Sequence, residues 1–213
     1  MNIKKTVNLF INFAIKRLAE IFGIIIFAAG TMLLIALITY SPEDPNFIFP
    51  DNTEIKNLLG FQGSFISDLF FQSVGLISYL VSFTFIITGI NILRIKEFFL
   101  IIENTFFTII YCLFGTLFFT HFHHKGFVLY INGNGGFIGN YLNQTFLNSL
   151  IQINENIFYY ILIVLILFLF LVSINFNPTN LYLLLKKLKN LFFKNKEKNY
   201  TDKSEIINKY IPQ

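Results

Sequence analysis

Apolar residues fall in long uninterrupted blocks separated by short polar stretches. Ile21 to Tyr40 is twenty residues without a charge, and Leu69 to Leu93 is twenty-five. Phe98 to Thr120 is twenty-three with one charge, Glu103. Asn156 to Leu185 carries none, with a core from Ile157 to Ile174 before Asn175, Asn177 and Pro178 interrupt it. A helix needs about 20 apolar residues to cross the hydrocarbon layer. There every backbone N–H and C=O must be satisfied within the chain, so such blocks are helical. The pattern predicts an all-α polytopic membrane protein with four transmembrane helices, at about 21–40, 69–93, 98–120 and 157–174. Residues 1–16 precede this domain (17–185), and a tail follows (186–213).

The polar connections alternate in length. The first long loop (41–68) opens with Ser41-Pro42-Glu43-Asp44-Pro45, which stops a helix and starts a turn. Later in it, Phe61, Phe65, Ile66 and Leu69 recur at helical spacing and predict a short interfacial helix leading into the second span. The second long loop (121–155) opens with His121-Phe122-His123-His124-Lys125-Gly126 and continues through a glycine-rich turn. Asn140, Asn143, Gln144, Asn148 and Gln152 then line one face, and Ile138, Leu142, Phe146 and Leu150 another. This spacing predicts one amphipathic helix with an amide face, which Asn154-Glu155-Asn156 breaks from the last span.

Composition agrees: 54% of the 213 residues are hydrophobic and 13% charged, against about 25% charged in soluble domains. Neither a water-soluble globule nor a disordered chain fits. A single cysteine, Cys112, excludes an internal disulfide framework and multi-cysteine metal sites. The first block exceeds the 7–15 residues of a typical signal peptide core and lacks an A-x-A-like site, so it reads as an uncleaved anchor.

Charge sets the orientation. Fourteen of the sixteen basic residues lie before the first span, in the connection holding Arg94 and Lys96, or in the tail; the long loops hold Lys56 and Lys125. Basic loops stay cytoplasmic, so both termini are expected on the cytoplasmic side and both long loops outside. Eight lysines and three acids after Leu185 make the tail basic. With Leu181, Leu184, Leu185, Leu188, Leu191 and Phe192 at helical spacing, it should bind anionic lipid headgroups.

Candidate chemistry is sparse. His121, His123 and His124 are possible metal ligands, but positions i, i+2 and i+3 do not share a helical face; a polar interfacial cluster is the simpler reading. Gly133-Asn134-Gly135-Gly136-Phe137-Ile138-Gly139 echoes phosphate-binding loops without the strand such loops require, and reads as a turn and helix start. Glu103 lies one turn inside its span, within reach of headgroups or Lys96. Gly23, Ala28, Ala29, Gly30, Gly75, Ser78 and Ser82 permit close helix contacts, within the bundle or between copies. No phosphate loop, nucleophile elbow or H-E-x-x-H occurs, and no catalytic, cofactor or metal site is assigned.

The ordered motifs resemble the amino-terminal four-helix membrane domain of the FtsK/SpoIIIE DNA translocases. Arg17-Leu18-Ala19-Glu20 is similar to the family's R-x-x-E before the first span. Tyr40-Ser41-Pro42-Glu43-Asp44-Pro45-Asn46 follows S-P-x-D-P-S/N. Asn57, Gly60, Gly63, Ser64, Ser67 and Asp68 match N-x-x-G-x-x-G-[AS]-x-x-[AS]-D. Phe71, Gly75, Ser78 and Tyr79 keep the family spacing, and Gly135, Gly136 and Gly139 match G-G-x-x-G. The resemblance covers about residues 14 to 185. It departs at Asn154-Glu155-Asn156, where a glycine-rich break is usual.

This resemblance implies a non-enzymatic anchor that localises and helps assemble a hexameric, ATP-driven DNA pump at the division septum. It further implies contacts with division proteins, and with DNA only through the motor. The linker, ATPase motor and DNA-reading winged helix are absent from these residues, so the chain is expected to be a fragment, split product or detached anchor. A small transporter or channel subunit is the alternative, disfavoured by spans nearly free of charge. A membrane enzyme using the histidines is a third reading.

Overall fold

The computed structural model describes residues 3–45, 54–123, 132–179 and 186, with 3–6 as backbone alone. Among them all regular structure is helical: α1 (Ile3–Ile38), α2 (Gly60–Val74), α3 (Ser78–Ile95), α4 (Leu100–Phe122), α5 (Gly136–Asn143), α6 (Phe146–Ile153) and α7 (Glu155–Ser173), with a 3₁₀ turn at Gly75–Ile77. Four stretches are long and apolar enough to cross a membrane: Val7–Ile38, Gly60–Ile95, Leu100–Phe122 and Glu155–Ser173. Met1–Phe176 forms one compact unit; residues 177–213 form another. The leucines and nearly all the lysines of the basic tail, with Asn46, His124, Lys125 and Gly126, lie outside the described residues.

The spanning helices alternate in direction. Both long loops therefore meet at one end of the bundle, the loop end. The short α3–α4 turn carrying Arg94 and Lys96 lies at the other, the basic end. α1 packs chiefly on α3, and α4 chiefly on α7. The first pair is set by small residues. A Cβ on Gly89 would stand 2.6 Å from the Phe27 nitrogen, and one on Gly30 2.7 Å from that of Ile86. Gly23 in turn lies against Gly89 and Leu93. Gly23 and Gly30 thus serve a contact inside the bundle, and their partner Gly89 carries no motif that marks it in advance.

The interior holds Phe71, Ile77, Tyr111, Leu117, Leu162 and Ile166, all buried. On α7 the large apolar residues Tyr160, Val164 and Phe168 remain 60–69% exposed. Such a surface suits lipid and would be untenable in water. Polar side chains join the helices across the interior. Asn104 Nδ2 donates to Thr88 Oγ1 at 2.9 Å, Thr84 Oγ1 and the Tyr111 hydroxyl lie 2.9 Å apart, and Asn91 Nδ2 donates to the Ile174 carbonyl at 2.9 Å.

The amide-faced segment of the second loop is two helices, where the spacing predicts one. Thr145 adopts an extended conformation and its Oγ1 accepts from the Leu147 amide, so it caps α6 and ends the path of α5. Asn154 likewise caps α7, with Oδ1 accepting from the Ile157 amide at 3.2 Å. Asn175, at φ 51°, follows the last turn of α7.

Gly89→Val should cost about 1–3 kcal/mol, because no side chain can move aside for a clash with backbone. Unfolding in mixed micelles would show it, and Ile90→Val, at an exposed position on the same helix, should leave the midpoint nearly unchanged.

Candidate functional site

The described polar and glycine residues of the family motifs gather at the two ends of the bundle, Arg17 and Glu20 at the basic end and those of the two long loops at the other. At the basic end, Glu20 on α1 accepts an ion pair from Arg17 one turn earlier at 2.6 Å and from Lys96 at 2.6 Å. Lys96 is held in the left-handed conformation (φ 63°), and its amide closes α3 on the Ile92 carbonyl at 2.7 Å. The Arg17 guanidinium also lies over the Phe13 ring, 5.0 Å from its centre. Glu20 thus clasps the start of the first span to the α3–α4 turn. Lys96 is engaged there, so the pairing with Glu103 that its sequence position offers does not form.

At the loop end the first long loop is built around Asp44, which is 1% exposed. The peptide N–H of Asp44 donates to the Ser41 carbonyl at 3.2 Å, closing a turn with Pro42 at its second position, where a fixed φ fits. The Asp44 carboxylate then accepts from the backbone amides of Lys56 and Asn57, both at 2.8 Å. Asn57 Nδ2 donates to the Ala36 carbonyl at 2.9 Å near the end of α1, while its Oδ1 accepts from Leu59. Ser64 donates to the Pro45 carbonyl at 2.9 Å. A Cβ on Gly63 would strike the Asn57 amide group, and Gly60 starts α2 at φ 64°. The prolines, acid, asparagine and glycines of the first loop therefore act as a single knot.

α2 lies beside the end of α1. A cavity of about 420 Å³ between them is lined by residues including Leu33, Ala36, Gly63 and Ile66. The Tyr40 hydroxyl donates to Asp68 Oδ1 at 3.1 Å, and the Tyr79 hydroxyl to the Leu37 carbonyl at 3.3 Å. Between α2 and α3 the helix breaks at Gly75 (φ 63°). A side chain there would land on the Asn134 carbonyl oxygen. That oxygen accepts from the Leu76 amide at 2.9 Å. Gly136, at φ 68°, lies against the Ser73 carbonyl, and Gly135 and Gly139 lie against Thr116 and Thr120 of α4. The glycine-rich turn is thus a wedge between the break and α4. Asn134, Gly135, Gly136 and Gly139 are buried against these neighbours.

Asn132 and Gln72 complete the joint. Asn132 Nδ2 donates to the carbonyl and the side-chain oxygen of Gln72, and Asn140 Nδ2 donates to the Asn132 carbonyl. Sequence reasoning did not single out Gln72, Asn132, Thr88 or Asn104. Polar residues at the edges of, or within, apolar blocks are the signal that could have found them. His121 lies 3.9 Å from Glu155, and His123 stacks near Phe118 and Tyr159. Among the described residues no group of three or more metal-capable side chains forms.

The exposed pair Glu43–Lys56, 2.5 Å apart, sits on this knot. The hydrogen-bonded ammonium holds the Glu43 carboxyl below its usual range, and the carboxylate raises Lys56. The pair's contribution is full between the two ordinary values. It fades as pH falls through the lowered Glu43 value, or rises through the raised Lys56 one, and is small because solvent screens it.

The family model for the 4TM region of DNA translocase FtsK/SpoIIIE matches residues 15–182. The DNA translocase FtsK of Rhizobium meliloti (strain 1021) is 33% identical over 67 residues, which is 32% of this chain and 8% of the relative. That of Caulobacter vibrioides (strain ATCC 19089 / CIP 103742 / CB 15) is 33% identical over 69 residues, again 32% and 8%. The aligned stretch is thus under a tenth of each relative's length. No solved structure matches.

Asp44→Ala would orphan the buried Asn57 amide, at about 1–3 kcal/mol, and the part-buried Lys56 amide at less, and Asp44→Asn should cost less because it keeps one acceptor. Limited proteolysis of the first loop, with thermal unfolding, reads both. Glu43→Gln should leave the unfolding midpoint at neutral pH unchanged.

Proposed function

Because the chain belongs to the FtsK/SpoIIIE 4TM family, matched over residues 15–182, we propose that it is the membrane anchor of a DNA translocase. In this reading it holds a cytoplasmic ATP-driven motor at the division septum of the inner membrane and couples chromosome segregation to division. Both termini face the cytosol, following the bias of basic residues. The chain contributes no catalysis of its own. Copies associate, by family resemblance as hexamers, and other division proteins and lipids complete the surroundings.

The observation that carries this reading is the use to which the motif residues are put. Arg17, Glu20, Asp44, Asn57, Asp68, Gly75, Gly135, Gly136 and Gly139 are spent on holding helices and loops together. A scaffold needs that arrangement; a transporter would instead keep polar groups and broken helices facing a path at mid-membrane.

A fluorescent protein fused after Gln213 should concentrate at division septa, and the Asp44→Ala chain should spread around the cell membrane. Even distribution of the unaltered chain would overturn the anchor reading. A phosphatase reporter should be active in the first long loop and inactive at either terminus.

A further inference from the structure

The basic-end clasp leaves Glu103 and Arg94, opposite charges on the spanning helices, outside it. Glu103, in the first turn of α4, and Arg94, in the last turn of α3, are both exposed. Neither takes part in an ion pair among the described residues, whereas Arg17 and Lys96 are both held by Glu20. The Glu103 carboxylate stands in a groove of about 480 Å³ between α4 and α7, whose other walls are Phe168, Leu171, Val172, Asn175 and Phe176. Among the described residues it is the one charge lining that groove. A carboxylate on a lipid-facing apolar surface is costly unless a cation meets it.

Depth decides which cation. Thr88 and Asn104 are hydrogen-bonded across α3 and α4 and so mark a common level. Glu103 lies one residue toward the basic end from that level, and Arg94 lies six. At 1.5 Å per residue their Cα levels differ by about 7–8 Å, a gap the two side chains together can close. The contact of Gly23 with Gly89 and Leu93 fixes the level of α1. By the same rise Lys16 lies about 13 Å beyond Glu103, too far to reach. Copies related by rotation about the membrane normal keep every residue at its own depth. Among the cations on the described helices, Arg94 of a neighbouring copy is therefore the one that matches, and a guanidinium fork suits a carboxylate better than an ammonium does.

We propose that Arg94 of one copy enters the α4–α7 groove of the next and pairs with its Glu103. The contact joins two different faces and is heterologous, so repetition closes into a ring or runs on as a chain. This rests on the association of copies put forward above and names the residues that make it.

The test uses the full chain, co-expressed with two different tags and captured from membranes. Unaltered copies should co-capture. Glu103→Arg alone or Arg94→Glu alone should each reduce co-capture about tenfold. Co-expressing the Glu103→Arg chain with the Arg94→Glu chain should restore it, because each then supplies the charge the other lacks; only a contact between copies behaves so. Glu103→Gln, which keeps the shape, should weaken capture in the same direction. In a Cys112→Ala background, Glu103→Cys on one tagged chain and Arg94→Cys on the other should be joined by a short bis-maleimide. Absence of co-capture by the unaltered chain would overturn the association and this contact together. Co-capture that survives both charge reversals would overturn this contact alone and leave the carboxylate reaching to headgroups. Reversals that lower capture without restoration in the mixture would overturn it too.

Discussion

A backbone amide released from a helix within or beside lipid has no water to turn to. The chain breaks its second apolar stretch at Gly75, and the consequences run through the whole loop end. The freed Leu76 amide finds the Asn134 carbonyl on a different loop. Glycine is required on both sides of that contact, at Gly75 and at Gly136, because the two backbones touch, and Gly135 faces α4 instead. The wedge then needs Thr116 and Thr120 of α4 behind it. One unsatisfied donor thus accounts for the placement of a loop, a helix break and the end of a third helix.

The first loop answers the same constraint with a charge. Asp44 is buried and ionisable, a costly choice unless every acceptor is used. Two amides at 2.8 Å use them, and Asn57 extends the knot to the last turns of α1. At the opposite end Glu20 does a similar task in a wetter place, where exposure weakens the pairing but still fixes the α3–α4 turn against α1. Between these ends, the Gly23–Gly89 and Gly30–Ile86 contacts bring α1 and α3 close enough for both constructions to engage.

Much of this was legible before any coordinates. Block length alone gives four apolar helices, because lipid thickness sets the ruler. The break at Asn154-Glu155-Asn156 and the stop after Ile174 follow from local chemistry. The division of the amide-faced segment at Thr145 was not legible, since its apolar spacing continues across the cap and periodicity cannot see an extended residue within it. Nor could spacing show that Glu20, rather than Glu103, takes Lys96: that choice depends on how α1 crosses α3. The motif glycines were visible as motifs, yet their reason lies in partners far away in the chain. Polar residues within the spans, Thr88 and Asn104 among them, were hidden because a threonine or asparagine hardly lowers the mean hydropathy of a long apolar run.

The joint between Leu76 and Asn134 also orders events during biogenesis. The acceptor lies almost two full spans downstream of the donor, so at about 5–20 residues per second several seconds of translation separate them. Through that interval the Leu76 amide is without its eventual acceptor. The loop end can close only after the third spanning helix and the residues following it have been made, so the Leu76–Asn134 contact is a late event in the assembly of the bundle.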